Sequence, residues 1–277
     1  MKYKGVENLI KKKVFAVFLL CLSIVFSSSV FAESGVAEIS ADIEEFQLYN
    51  VDDELCDYIY AALKNRDASI DVSALSVTKE QLRDAFTQIH YNYADMFYVS
   101  SSYEYSLSHS TQKVSNVFPK YLYSEEETKQ YTELLNCEIK KAAAAAEASM
   151  SEIEKILAVH DYFCSEFEYD TSLNNRTALS LFQTKKGVCQ AYAYAFKAVM
   201  DEIGIGCRYV VSESMNHMWN VVKVDGKWYH VDVTWDDPVP DKAGMALHSN
   251  FLKTDSEMAL TGHSDWVSEE SVSDAPL

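Results

Sequence analysis

Residues 187–238 read GVCQAYAYAFKAVMDEIGIGCRYVVSESMNHMWNVVKVDGKWYHVDVTWDDP. Small or apolar residues recur at Cys189, Tyr192, Ala193, Phe196, Val199, Met200 and Ile203, the spacing of one helix face. Gly187 precedes this stripe and Gly204 ends it, which predicts a helix with Cys189 in its first turn. From Cys207 onward the pattern alternates, and Asp225-Gly226 is a strong two-residue hairpin signal. The stretch therefore predicts a helix followed by three strands that carry His217 and Asp232.

The hairpin sets a register. With Asp225-Gly226 as the turn, Val224 faces Lys227, Trp219 faces Asp232 and His217 faces Thr234. Opposed residues share a sheet face, as do residues two apart on one strand. His217 and Asp232 become diagonal neighbours, about 7–8 Å apart at the backbone and within side-chain reach. A thiol at a helix start gains from unpaired N–H groups and the helix dipole, which favour the thiolate. Asp232 would fix the His217 tautomer, and the other ring nitrogen would face Cys189 across the helix–sheet interface. Trp219, Trp228 and Trp235 read as core or cleft walls, and Asp236-Asp237-Pro238 as a turn.

Outward from this centre, the chain has 277 residues, 48% of them hydrophobic, and a formal charge of −18. Residues 1–32 combine a lysine-rich start, the apolar run Val14–Phe26 and Val30-Phe31-Ala32, the pattern of a cleavable signal peptide cut after Ala32. Export to the cell surface or medium is expected, with no membrane span after the cut. Removal would take the charge to −22, since five lysines and Glu7 leave with it. So acidic a surface repels nucleic-acid phosphates. Five cysteines remain, an odd number that flags a free thiol; the others could pair in three ways or stay reduced.

The remaining organisation is coarser. Asp52–Lys64 reads as a helix after an acidic lead-in over 33–51. Thr78 to Gln81 resembles a capping box opening a second helix. Met96–Leu107 and Asn116–Ser124 read as strands, the latter at an edge because of Pro119. Ser124–Ser149, with five consecutive alanines, reads as one long helix. Ser151 to Glu154 opens another, on which His160 is expected to be a packed or hydrogen-bonded residue. Residues 168–178 read as a loop containing the sequon Asn175-Arg-Thr177. Metal spacings of the CxxC kind are absent. A facial set of His217, His230 and Asp232 is disfavoured, because nothing upstream supplies a matching ligand pair. No metal and no cofactor is expected.

The quoted stretch, with the EKILAVHDYFCSEFEYD lead-in and the later NFLKTDSEM, resembles the bacterial branch of the transglutaminase-like superfamily over about residues 150–265. The resemblance implies an α+β, papain-like core in which the helix bearing the cysteine packs on an antiparallel sheet bearing histidine and aspartate. With the signal peptide over 1–32 and a boundary near residue 148, the chain divides into an α/β accessory region over 33–148, of which about 60–123 resembles the region preceding this core in exported relatives, and a catalytic core over 149–277. The resemblance carries over Cys189 as nucleophile, His217 as general base and acid, and Asp232 as orienting carboxylate. Gln183, six residues before the cysteine as in papain, joins Gln190, Trp219 and Trp235 as candidates for the oxyanion site or substrate cleft. The implied activity is thiolate attack on a peptide or isopeptide amide, with release of the acyl group to water or an amine. No tryptophan precedes Cys189 and no calcium loop is recognisable, which favours hydrolysis over cross-linking. The expected partner is a protein or peptide, cell-wall peptide included. The rival expectation is a non-catalytic binding or scaffold module using the same cleft.

Overall fold

The computed structural model describes residues 33–38, 53–242 and 244–277; the signal segment 1–32 with its cut after Ala32, and most of the acidic lead-in, lie outside the described residues. In chain order the elements are β1 (Glu33–Glu38), α1 (Asp53–Lys64), β2 (Ile70–Asp71), α2 (Lys79–Asn92), β3 (Val99–Leu107), β4 (Val114–Tyr121), α3 (Glu125–Ala143), α4 (Glu152–Glu166), β5 (Glu168–Tyr169), α5 (Ala178–Thr184), β6 (Lys186–Gly187), α6 (Cys189–Glu202), β7 (Cys207–Ser212), β8 (His217–Val224), β9 (Lys227–Val231), α7 (Val233–Asp236), β10 (Phe251–Lys253), α8 (Asp255–Leu260) and β11 (Trp266–Ser268). No described helix is long and apolar enough to cross a membrane.

α6 is the centre of the molecule. The predicted stripe is buried from Cys189 to Met200, with Ile203 half-buried, but Ala191, Tyr194 and Ala195 on its other sides are buried too. A helix apolar nearly all round is one surrounded by other elements, and α6 packs against α3, α4, α5, β7 and β8. Gly204, at φ +76, takes the left-handed turn that ends it, a conformation glycine adopts without a Cβ penalty.

Beside α6 lies a five-stranded sheet in the order β10-β9-β8-β7-β11, antiparallel throughout. Asp225 and Gly226 both have positive φ, the type I′ hairpin geometry. The ladder runs from Val224↔Lys227 to Asn220↔Val231 in the predicted register. It stops there. Asp232 is the N-cap of α7, its side chain accepting from Trp235 N at 3.1 Å. The expected pairs Trp219–Asp232 and His217–Thr234 therefore do not form, and Thr234 is helical. Aspartate at a cap satisfies backbone N–H groups that a continuing strand would offer elsewhere.

The period of two divides β8 between two cores. Met218, Val222 and Val224 join the main apolar cluster with α6. Trp219 and Val221 join Val210, Trp228 and Met258 in a second cluster on the opposite face.

The N-terminal part is a second sheet, β1-β3-β4-β2, with the capping box at Thr78 opening α2 as expected. β1 lies within the segment expected to be a featureless lead-in. Pro119 faces Tyr103 on one side, while β2 reaches only Asn116 and Val117 on the other, so its edge position is local. α3 ends at Ala143, inside the alanine run and short of the expected Ser149. Alanine favours a helix but does not fix where packing turns the chain. α3 packs against α4, α5 and α6, and the main apolar cluster runs unbroken from α1 to β10 across the expected division at residue 148.

Candidate active site

The thiol is placed by a close backbone fit. A Cβ on Gly187 would meet Leu181 Cδ1 at 2.7 Å and Ala191 Cβ at 2.9 Å. Gly187→Ala is therefore expected to displace the start of α6 and cost about 1–3 kcal/mol, read by urea denaturation. A cost below a few tenths would mean that this approach is not needed. Val188 caps α6 without a side-chain acceptor, so the first-turn N–H groups beside Cys189 receive no side-chain cap, and the positive end of the dipole stays open to an anion.

The loop before the helix holds it from the other side. Asp170 N donates to Gly187 O at 2.9 Å, and Val188 N donates to Asn175 O at 3.0 Å. The Asp170 carboxylate accepts from Ser172 Oγ, Ser172 N, Asn174 N, Asn175 N and Asn175 Nδ2, between 2.6 and 3.1 Å. The Ser172 bonds, aided by the other donors, hold its carboxyl down to about 2. The Asn175 amide of the sequon is thus engaged inside the loop. Asp170 was absent from the sequence candidates, although an aspartate two before a serine in an otherwise polar stretch is an Asx-turn signal.

His217, at the start of β8, sits 2.6 Å by its Nε2 from Asp232 Oδ2, which leaves Nδ1 to the thiol. Cys189 interacts with this ring, and that interaction adds to the rise of the His217 pKa. Asn220 Nδ2 donates to Ala193 O at 3.2 Å, tying sheet to helix. Cys189 lies one turn before Ala193, and His217 three residues before Asn220, so both occupy the same end of the helix–sheet pair. His217 nevertheless shares its sheet face with Trp219, whose ring stacks on it at 5.5 Å. Trp219 thus backs the imidazole on the sheet face turned away from the main apolar cluster.

Asp232 is fully buried. Burial would raise its pKa, but the His217 charge and bonds from His217 and His263 outweigh that and leave it lowered. Burial would likewise lower His217, and the Asp232 charge and hydrogen bond reverse this to a net rise. Both directions favour an ionised carboxylate beside an imidazolium, which suits a thiolate partner.

His263 is the residue sequence reasoning missed. Its Nε2 lies 2.9 Å from the same Asp232 Oδ2. It stands 31 residues downstream of Asp232, and nothing local marks it. His230, weighed above as a ligand with His217 and Asp232, turns away: its Nε2 meets Asp255 at 2.9 Å and its Nδ1 accepts from Trp219 Nε1 at 3.0 Å. The donor atoms of His217, Asp232 and His263 do converge. Asp236 and Asp237, expected in a plain turn, are both buried. Asp236 accepts from Asn250 N and Nδ2 and faces His160; Asp237 accepts from Tyr192 OH at 2.5 Å.

A cleft of about 530 Å³ opens beside His217, lined by Tyr169, Thr234, Trp235, Asp237, Lys242 and Leu247 among others. Trp235 is 40% exposed there, while Trp219 is buried under the imidazole. Gln190 faces a different, apolar cavity next to Tyr194, to whose OH it donates at 2.8 Å. Gln183 is exposed on α5, and none of the hydrogen bonds above involves it. All five described cysteines are free, and only Cys137 is exposed.

Among curated proteins, the chain is 27% identical over 111 residues to the kyphoscoliosis peptidase of Mus musculus and 26% identical over 111 residues to that of Homo sapiens, in each case 33% of this chain and 17% of the relative. The match thus spans about a sixth of those relatives' length. Among solved structures, it is similar to a TGase, with a TM-score of 0.34, 15% identity, and 44% of this chain and 41% of the other covered. It is also similar to a candidate cysteine protease from Cytophaga hutchinsonii, with a TM-score of 0.33, 16% identity, and 59% and 68% covered. The segment that carries Cys189, His217 and Asp232, residues 140–233, matches the family model of the transglutaminase-like superfamily.

Proposed function

We propose that this protein is an exported cysteine-nucleophile acyl-transfer enzyme that hydrolyses peptide or isopeptide bonds. One observation carries the reading: the His217 ring is held by the buried Asp232 carboxylate at 2.6 Å, and its raised pKa has Cys189, at the start of α6, among its causes. In this reading His217 keeps Cys189 as a thiolate, the sulfur attacks the amide carbonyl, and the imidazolium protonates the departing amine. Water activated by the same ring then releases the acyl group. First-turn N–H groups of α6 are placed to stabilise the oxyanion. The open cleft beside Trp235 suits a polypeptide substrate, and an exported protein would meet cell-wall peptide there.

The test is site-mapped alkylation of the native protein with limiting iodoacetamide at pH 6. Cys189 is 8% exposed, so accessibility alone would send the reagent to Cys137. Preferential modification of Cys189 is expected, because a thiol beside an imidazole that a buried carboxylate orients is activated as a nucleophile. Preferential modification of Cys137 would leave only the binding-module reading. A Cys189→Ala variant should then lose cleavage in a screen of cell-wall peptides and unfolded proteins, run with and without added amine.

A further inference from the structure

We infer that His160, Asp161 and His248 form a second site, for a divalent transition metal, which pins the loop bordering the cleft onto α4. Their ligand atoms all lie within 4.8 Å of one another. His160 Nδ1 is 3.0 Å and His248 Nε2 is 2.7 Å from Asp161 Oδ1. Around a metal with bonds of about 2.0–2.1 Å, adjacent donors stand about 3.0–3.4 Å apart, so the two edges to Asp161 are near that size, and the third, within 4.8 Å, needs only a small adjustment. The two exposed members, Asp161 and His248, can adjust. Two imidazoles and one carboxylate on one face select zinc, cobalt, nickel or ferrous iron over calcium or magnesium.

The surroundings of His160 point the same way. This ring is fully buried, with Asp161 Oδ1 3.0 Å from Nδ1 and Asp236 Oδ2 3.2 Å from Nε2. A metal at Nδ1 would leave Nε2–H to donate to Asp236. That is the carboxylate–histidine–metal arrangement in which a second carboxylate fixes the ligand's tautomer and raises its basicity. Asp236 is itself fixed by Asn250 N and Nδ2 at 3.0 Å each. The layout is thus a ligand backed by a rigid buried acid, with two exposed ligands at its open side.

The position gives the site a consequence. His160 and Asp161 belong to α4, while His248 lies on the connection from α7 to β10. The same connection lines the cleft with Val239, Lys242 and Leu247. A metal joining His248 to α4 fastens the far end of that wall without touching Cys189.

The experiment uses tag-free, chelator-stripped protein titrated with ZnCl2 by calorimetry and with CoCl2 by visible absorption. About one equivalent should bind, with cobalt bands of nitrogen and oxygen ligation and no thiolate charge transfer. His248→Ala and Asp161→Asn change exposed side chains and should weaken binding at least about 100-fold, beyond what loss of an outer-shell partner costs. Cys189→Ala and His263→Gln should leave it unchanged. Zinc should also slow proteolysis within residues 238–247 in the parent but not in His248→Ala. Absence of saturable binding, equal binding by His248→Ala, or loss of binding in Cys189→Ala would each overturn the inference. The first of these would leave His160 as an imidazolium between two acids. The first two outcomes leave the reading of Cys189 as a nucleophile untouched.

Discussion

Asp232→Ala is expected to remove about 3–5 kcal/mol of stability, because breaking a buried pair from one side strands the partner's charge. Two partners are stranded here: His217 Nε2 at 2.6 Å and His263 Nε2 at 2.9 Å both face Asp232 Oδ2. The α7 cap is lost as well, since Asp232 Oδ1 accepts from Trp235 N, which adds about 1 kcal/mol. Urea denaturation at pH 7 measures the sum. A loss under about 1 kcal/mol, within the range of an exposed ion pair, would mean that the carboxylate is not paired as described. Asp232→Asn separates structure from chemistry. The amide keeps the shape and can still accept from one ring, yet it no longer favours the imidazolium. Its expected mark is a fall in thiol reactivity or turnover approaching about 10⁴-fold, the scale on which a triad loses function when the histidine is held in the wrong tautomer. The alkylation profile should move with it. In the parent, the charge and hydrogen bond of Asp232 raise the His217 pKa and extend the imidazolium upward in pH; without that charge, the limb of the profile that follows His217 should move to lower pH. His263→Gln supplies the control, since it removes one donor to Asp232 and leaves the His217 contact in place.

The part of this site that can be read from the chain is the part fixed by short-range geometry. A stripe at helical spacing puts Cys189 in a first turn, and Asp-Gly sets a register that the ladder follows as far as Asn220↔Val231. The register then fails at the residue that matters most. Asp232 meets His217 although it is no longer on a strand, because the turn into α7 keeps its side chain on the histidine's side. The diagonal-pair argument thus reached a contact that helix capping makes. His263 and His248 were beyond reach for another reason, and His160, expected to be packed or hydrogen-bonded, is both, but with a distant partner that the sequence does not name. His160 and Asp236 are 76 residues apart, and His248 and Asp161 are 87 apart. Neither turn chemistry nor periodicity encodes such distances. The aspartates of TWDDP misled in the opposite sense. Adjacent acids before proline signal a turn, but once α7 is buried against α4 and α6 both carboxylates must find donors inside.

Asp237 makes that cost measurable. Its Oδ2 accepts from Tyr192 OH, while its Oδ1 is buried with no hydrogen-bond partner. Burial, more than the neighbouring charges, pushes its carboxyl up to about 7, against about 3.9 for an unfolded aspartate. The folded state therefore holds this proton more tightly than the unfolded one. The stabilisation from the neutral acid is complete below about pH 4, is lost as pH rises to about 7, and stays lost above it. Asp237→Asn is permanently neutral at this position and can still accept from Tyr192. It should thus be more stable than the parent at pH 8 by about 1–3 kcal/mol, after allowing for solvent screening at a cleft wall. The two proteins should converge towards pH 4. The opposite trend is expected for Asp232, whose lowered pKa stabilises the fold above about pH 4 and fades only as pH falls towards its folded value. His217 adds stability that is complete below about pH 6.5 and is lost as pH rises through its raised folded pKa. Comparing the Asp237→Asn variant with the parent cancels both of these terms and isolates one carboxylate. A stability gap that stays constant from pH 4 to pH 8 would show that folding does not raise the Asp237 pKa, and that a donor other than Tyr192 satisfies its buried Oδ1.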